Sequence, residues 1–205
     1  IHYAIIDGGG FSPNVVQPTA SVLYMVRSNK VREAIELQAR VDKIAEGAAL
    51  MTETSFEKIF VDGTANTVVN STIERVLWDN MKAIGAPQYD EAEWALAKKI
   101  YATHKAPEEL PGLGQKHDAQ IRAYVKEKSE NGKREIYDFL LPFYSGNDFT
   151  PGSTDVGDVS WQTPTAQFTA VTHTAGSPGH SWQNVSMGKS AIAHKGLLYA
   201  GKTLA

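Results

Sequence analysis

Two glycine-punctuated turns carry the side chains in this sequence that are best suited to chemistry. Gly152-Ser-Thr-Asp-Val-Gly-Asp-Val-Ser160 and Gly176-Ser-Pro-Gly-His-Ser-Trp-Gln183 hold carboxylates, hydroxyls, a histidine and a tryptophan, with a Thr-rich run between them. Glycine lets backbone approach a ligand closely, and a turn presents polar side chains that have no core to serve. The competing reading is ordinary turn chemistry, which favours the same residue types. His180 lies at an apex between Gly179 and Ser181, where an imidazole can reach a cation or a substrate. Metal ligand, catalytic contact and structural turn histidine are all open to it. The other histidines carry plainer expectations: His173 in a Thr-flanked strand, His194 packed on a helix face, His2 in a strand, His104 at a helix end where its charge suits the dipole, and His117 at the surface.

A metal centre needs several ligands, and spacing alone does not supply them. Glu108-Glu109 has the form of the paired glutamates of metal-dependent hydrolases, but it falls in a Pro-bounded loop where solvation is expected, and His117-Asp118 is a similar pair. No His-x-x-x-His, His-Glu-x-x-His or phosphate loop occurs, and Asp7-Gly-Gly-Gly10 is not a dinucleotide fingerprint.

The elements that must position these turns divide into two groups. Ile1–Ile6 reads as a strand, Asp7–Asn14 as a glycine loop and Ala20–Arg27 as a second strand. Ser28 or Asn29 is expected to cap a helix with the apolar stripe Ala34, Leu37, Val41, Ile44, Ala45 and Ala48. Thr52–Val61 alternates as a third strand would. Ser71 and Glu74 have capping-box spacing for a helix that Gly85 ends, Asp90 caps another to Tyr101, Pro107–Gly114 is a loop, and 118–128 is a polar helix. Arg134–Tyr144 is short and apolar, Gln167–His173 reads as a strand, and 184–205 as a terminal helix with Met187, Ala191, His194 and Leu198 on one face. A boundary is expected between residues 65 and 66, giving a small sheet-and-helix unit at 1–65 and a larger α/β unit at 66–205.

Composition narrows the function classes. Net charge is −3 and the lysines and arginines are scattered, so nucleic acid is disfavoured as a partner. No apolar run approaches the ~20 residues of a membrane span, no signal peptide opens the chain, and the absence of cysteine fits a reducing cytoplasm. The first residues, Ile1-His-Tyr-Ala-Ile-Ile6, are a strand already under way without an initiator Met. The expectation is a segment of a longer protein.

Ile1-His-Tyr-Ala-Ile-Ile-Asp-Gly-Gly-Gly-Phe-Ser-Pro-Asn-Val-Val-Gln-Pro18 followed by Val22–Arg27 resembles the lid strands of the aminoacylase/carboxypeptidase-type metallopeptidases, in particular the branch formed by the B subunits of aminobenzoyl-glutamate hydrolases. Gly152–Ser160 and Gly179–Gln183 resemble that branch's C-terminal half. The family pattern runs Val-Val-Pro, which Gln17 interrupts by one residue before Pro18. The resemblance implies an α/β (α+β) fold, with a lid and dimerisation domain at 1–65 and the C-terminal part of a zinc-peptidase-like catalytic domain at 66–205. It implies an amidohydrolase that cleaves an amide next to a carboxylate, of N-acyl amino acid or aminobenzoyl-glutamate type, through two divalent metals, zinc or manganese. By the same likeness His180 matches the last metal ligand, Asn14 and Arg27 match residues that grip the substrate carboxylate, and Asp155 and Asp158 match the loop lining the site. The remaining ligands and the glutamate base would lie upstream of Ile1, so the segment alone is expected to be inactive. Partners implied are the small amide substrate, a second copy through the lid, and a second type of subunit. The alternatives are a non-catalytic dimerisation or ligand-binding module, and for Arg27 a plain surface ion pair with an acid such as Glu33.

Overall fold

The computed structural model describes residues 1–105, 119–145, 149 and 151–205. Glu108-Glu109, His117-Asp118 and the Pro107–Gly114 loop lie outside the described residues. The chain forms two compact units, one of Ile1–Val68 with Pro151–Gln162 and one of Val69–Thr150 with Thr163–Ala205. Helices together with a small antiparallel sheet give the mixed α/β character expected from the sequence, in this coarse form.

In the first unit β1 (His2–Asp7) pairs antiparallel with β2 (Ser21–Met25), His2 opposite Met25 and Asp7 opposite Ser21. The register shifts between Ile5 and Asp7, so Ile6 is the extra residue of a bulge next to the loop. α1 (Val31–Thr52) buries only Val41, and every residue of the two strands is exposed. Tyr3 and Ile5 on β1 and Tyr24 and Met25 on β2 are at least half exposed. A two-stranded ribbon gains little from its own pairing and is normally stabilised by a covered face. The expected third strand over Thr52–Val61 is absent: α1 runs on to Thr52, and the residues after Glu53 form no ladder. Lys58 ties this stretch to α1 through Asp42 at 2.5 Å, but alternating residues make a strand only when another strand accepts their hydrogen bonds.

The second unit holds α2 (Ser71–Ile84), α3 (Glu91–Tyr101), α4 (Ala119–Lys128), α6 (Trp182–Met187) and α7 (Ala191–Leu204), while the short α5 (Val156–Gln162) belongs to the first. Its core is Ala97, Ile136, Met187 and Ile192, with Tyr89, Trp94, Ile100 and Val171 packed around them. Local caps follow the sequence closely at α3, where Asp90 and Glu93 form a full capping box. At α2 the cap is Asn70, whose side chain accepts from the Ile73 amide; Ser71 is already helical, and Glu74 accepts instead from Ser145 Oγ at 2.7 Å. Gly85 ends α2 as expected.

Two further expectations are corrected. Gln167–His173 is irregular chain with no partner strand among the described residues; part of it is half-buried, and Val171 joins the core. The terminal helix is two helices. Ser190 caps α7 by accepting from the Ala193 amide, while tight-turn bonds from Gly188 to Val185 and from Ser190 to Met187 close α6. The break rotates the buried face of α7 to Ile192, Ala193, Gly196, Tyr199 and Thr203, so Ala191, His194 and Leu198 face solvent. His194 therefore does not pack as expected.

Candidate functional site

The glycine loop between β1 and β2 is built to hold Asn14 at its tip. Asp7 Oδ1 accepts from the Gly9 amide at 2.8 Å, starting the turn. Gly9 has φ +82°, and a Cβ there would fall 2.2 Å from the Thr19 carbonyl and 2.7 Å from Gln17 Cβ, so only glycine fits beneath the returning chain. Val15 N donates to Ser12 O at 3.3 Å, which puts Pro13 and Asn14 at the two central positions of a β-turn. Gln17, the residue that interrupts Val-Val-Pro, lies over Gly9 and Gly10 and reaches back to Ser12 O.

Arg27 lies two residues beyond β2, past the end where Met25 faces His2, whereas the loop springs from the Asp7–Ser21 end. At about 3.3 Å per residue, the six steps from Ser21 to Arg27 amount to roughly 20 Å of strand. No hydrogen bond joins Asn14 to Arg27 among the described residues. Convergence on one anion requires the loop to fold back along the ribbon.

Arg27 has a different neighbour. Its Nη2 donates to Ser153 Oγ at 3.1 Å, on the first of the two turns. No carboxylate of the described residues forms an ion pair with it, and Glu33, the acid closest in sequence, accepts from Ser28 Oγ at 2.5 Å. An exposed guanidinium with a neutral partner keeps its charge for an anion.

The turn itself is firmly seated. Thr154 O accepts from Gly157 N at 3.0 Å, and α5 is strapped to residues 65–68 by three bonds: Ala65 N to Asp158 Oδ1 (3.0 Å), Val68 N to Ser160 Oγ (2.8 Å) and Trp161 Nε1 to Asn66 O (2.8 Å). Gly157 is buried so closely that a Cβ would sit 2.0 Å from the Ala65 carbonyl. Asn66 in turn accepts from Val31 N at 3.1 Å, capping α1 from 35 residues away. Neither Ser28 nor Asn29 does so, and the N-cap residue is Lys30, without a side-chain bond. Asp155 is exposed ahead of α5. Asp158 holds backbone in place, a job its position in the sequence does not reveal.

His180 belongs to the second unit. It is exposed and has φ +55°, a left-handed conformation that costs a non-glycine residue about 1–2 kcal/mol. Ser181 fixes it there by donating to Pro178 O at 2.6 Å and accepting from Asn184 N at 3.3 Å as the cap of α6. The residue is exposed, so its imidazole is open to solvent, and Glu53, Glu130 and Asn131 share the same left-handed backbone. His104 and His173 both bind at Thr174, through its hydroxyl at 3.2 Å and its carbonyl at 3.1 Å, and are structural. Among the described residues no group of three or more His, Cys, Asp or Glu side chains is placed to hold a metal ion. His180 could donate one ligand, but the described residues do not fit a complete centre.

Along its whole length the chain is 39% identical, over an alignment of 213 residues, to the B subunit of p-aminobenzoyl-glutamate hydrolase from Escherichia coli (strain K12). It spans 43% of that relative's length. The resemblance read from the lid and turn motifs thus rests on similarity along the full chain. No family model and no solved structure matches. Among the described residues no helix is long and apolar enough to cross a membrane.

Proposed function

We propose, taking the full-length similarity to the B subunit of an aminobenzoyl-glutamate hydrolase as premise, that this chain is part of a metal-dependent amidohydrolase that cleaves an amide beside a carboxylate. The observation that carries this reading is Arg27: exposed, unpaired with any described carboxylate, and aimed by a neutral hydroxyl. An arginine fork matches a substrate carboxylate in two parallel hydrogen bonds. Asn14 would add an amide donor if the loop folds back along the ribbon toward Arg27, and Asp155 follows Ser153 by two positions on the same turn. In this reading residues 1–65 serve as the lid, and residues 66–205 supply the last part of a zinc-peptidase-like catalytic domain. His180 supplies one ligand of a divalent pair, zinc or manganese, which would polarise the scissile carbonyl and acidify water when bound. The other ligands come from outside the described residues.

The exposed apolar side chains of the ribbon and α1 (Tyr3, Ile5, Tyr24, Ile35 and Ile44) form the kind of surface that another chain covers. A second copy meeting the lid is the partner that fits an open strand edge, and the relative's name, which marks it as one subunit of its hydrolase, leaves room for a second type of subunit. We place the protein in the cytoplasm.

The deciding experiment is Arg27→Lys in the hydrolase that carries this chain. Losing a charge-assisted fork worth about 1.5–3 kcal/mol raises KM for acyl-glutamate substrates roughly ten-fold or more. Carboxamide analogues should change little. Equal losses on both would make Arg27 structural. The 205-residue chain alone should show no turnover at any added zinc or manganese concentration, because one imidazole holds a metal too weakly to acidify water.

A further inference from the structure

Two arginines of this chain have opposite surroundings. Arg134 is committed to structure: its guanidinium makes two 2.7 Å bonds to Asp138 and one of 2.9 Å to Glu130, and it lies over the Trp94 ring at 4.8 Å. Arg27 has a single hydroxyl. An unanchored arginine at the surface has many rotamers, and ordering it on a ligand costs affinity. An acidic anchor would order it but would also occupy its charge. A serine hydroxyl accepts one N–H and leaves the other donors and the full charge available.

Resting on the reading of Arg27 as carboxylate anchor, we propose that Ser153 is the positioning residue of that anchor and sets its preference for an anion over a neutral group. Ser153 is 126 positions from Arg27 in sequence, yet it sits on a fixed platform. The bond at Thr154, the close seat of Gly157 under Ala65 and the strap at Ser160 hold its turn to the segment that also caps α1. The hydroxyl therefore meets the end of β2 at a set place, and the guanidinium is ordered before a ligand arrives.

The test is steady-state kinetics of the hydrolase carrying this chain, with a carboxylate substrate and its carboxamide counterpart. Ser153→Ala should raise KM for the carboxylate roughly three- to ten-fold, the size of one net hydrogen bond, and leave kcat within about two-fold. Ser153→Thr, which keeps the hydroxyl, should restore KM. Ser153→Asp should exceed Ser153→Ala in its effect on the carboxylate and spare the carboxamide, because the new carboxylate competes for the fork. Arg27→Lys combined with Ser153→Ala should be little worse than Arg27→Lys alone. The proposal is overturned if Arg27→Lys is selective for the carboxylate while Ser153→Ala and Ser153→Asp leave KM unchanged, or if the two sites multiply independently. Arg27→Lys that damages both substrates equally overturns the anchor itself, and the role of Ser153 with it.

Discussion

Gly196 and Gly201 lie in the same helix, and the same substitution should act on them with opposite sign. By propensity alone, alanine in place of a mid-helix glycine stabilises by about 0.8–1 kcal/mol. At Gly201 nothing lies within 4 Å of the added Cβ, so Gly201→Ala should realise most of that gain. At Gly196 the Cβ would fall 2.0 Å from the Val171 carbonyl oxygen, 2.9 Å from its carbon and 3.0 Å from Thr172 Cγ2. Ordinary contact begins at 3.4 Å, so α7 and the 171–172 backbone would have to part by about 1.4 Å. Val171 packs on the core cluster and cannot yield freely. Overpacking of this kind costs about 1–3 kcal/mol, and a clash with backbone belongs at the upper end, leaving a net loss near 2 kcal/mol. Urea unfolding of the 205-residue chain, followed by tryptophan fluorescence, would show the midpoint of Gly196→Ala lowered by about 1 M at a slope of ~2 kcal/mol/M. Gly201→Ala should move the midpoint the other way. If both variants stabilise alike, the close approach of residue 171 to α7 is wrong, and with it the account of why residues 167–173 run where they do.

Glu93 is buried and pairs through Oε2 with Lys195 Nζ at 2.6 Å and with the Asp90 amide at 2.7 Å. Lys195→Met should cost about 2 kcal/mol or more by stranding a buried carboxylate, and adding Glu93→Gln should recover part of it in the same urea assay. Burial, as the largest cause, pushes Tyr89 and Tyr137 up to about 12. Their neutral forms are favoured in the fold, so their contribution is complete below about pH 10, where unfolded tyrosine begins to ionise, and is lost as pH rises through about 12. Tyr89→Phe and Tyr137→Phe should each flatten that alkaline loss in thermal melts between those values. Asp42 has the opposite sign: its hydrogen bond from Lys58, then that from Gln38, lowers its pKa. Its contribution is present above the ordinary carboxylate value and is lost as pH falls through the lowered one, and Lys58→Ala should abolish most of that acid dependence in melts at acid pH.

Sequence alone determined what depends on neighbours a few residues away. The end of α2 and the start of α3 were legible because Gly85 and Asp90 act within one helical turn of the backbone they cap, whereas the Ser71–Glu74 spacing misplaced the cap of α2, which is Asn70. The glycine loop was legible because three successive glycines favour no regular element, and the apex position of His180 followed from its glycine and serine neighbours. Tertiary structure decided the rest. The alternation in 52–61 and 167–173 could not say whether a partner strand exists, and a strand is defined by its partner's hydrogen bonds. Met187, Ala191 and Leu198 share a face only in an unbroken helix, and Ser190 breaks it by taking an amide that an unbroken helix would bond internally. Asp158, Asn66 and Ser153 carry no local signal because each answers a group 35 to 126 residues away. Ser153 beside Arg27 became visible only when the chain brought those distant residues within hydrogen-bond reach, since a hydrogen bond depends on distance in space and is indifferent to separation along the chain.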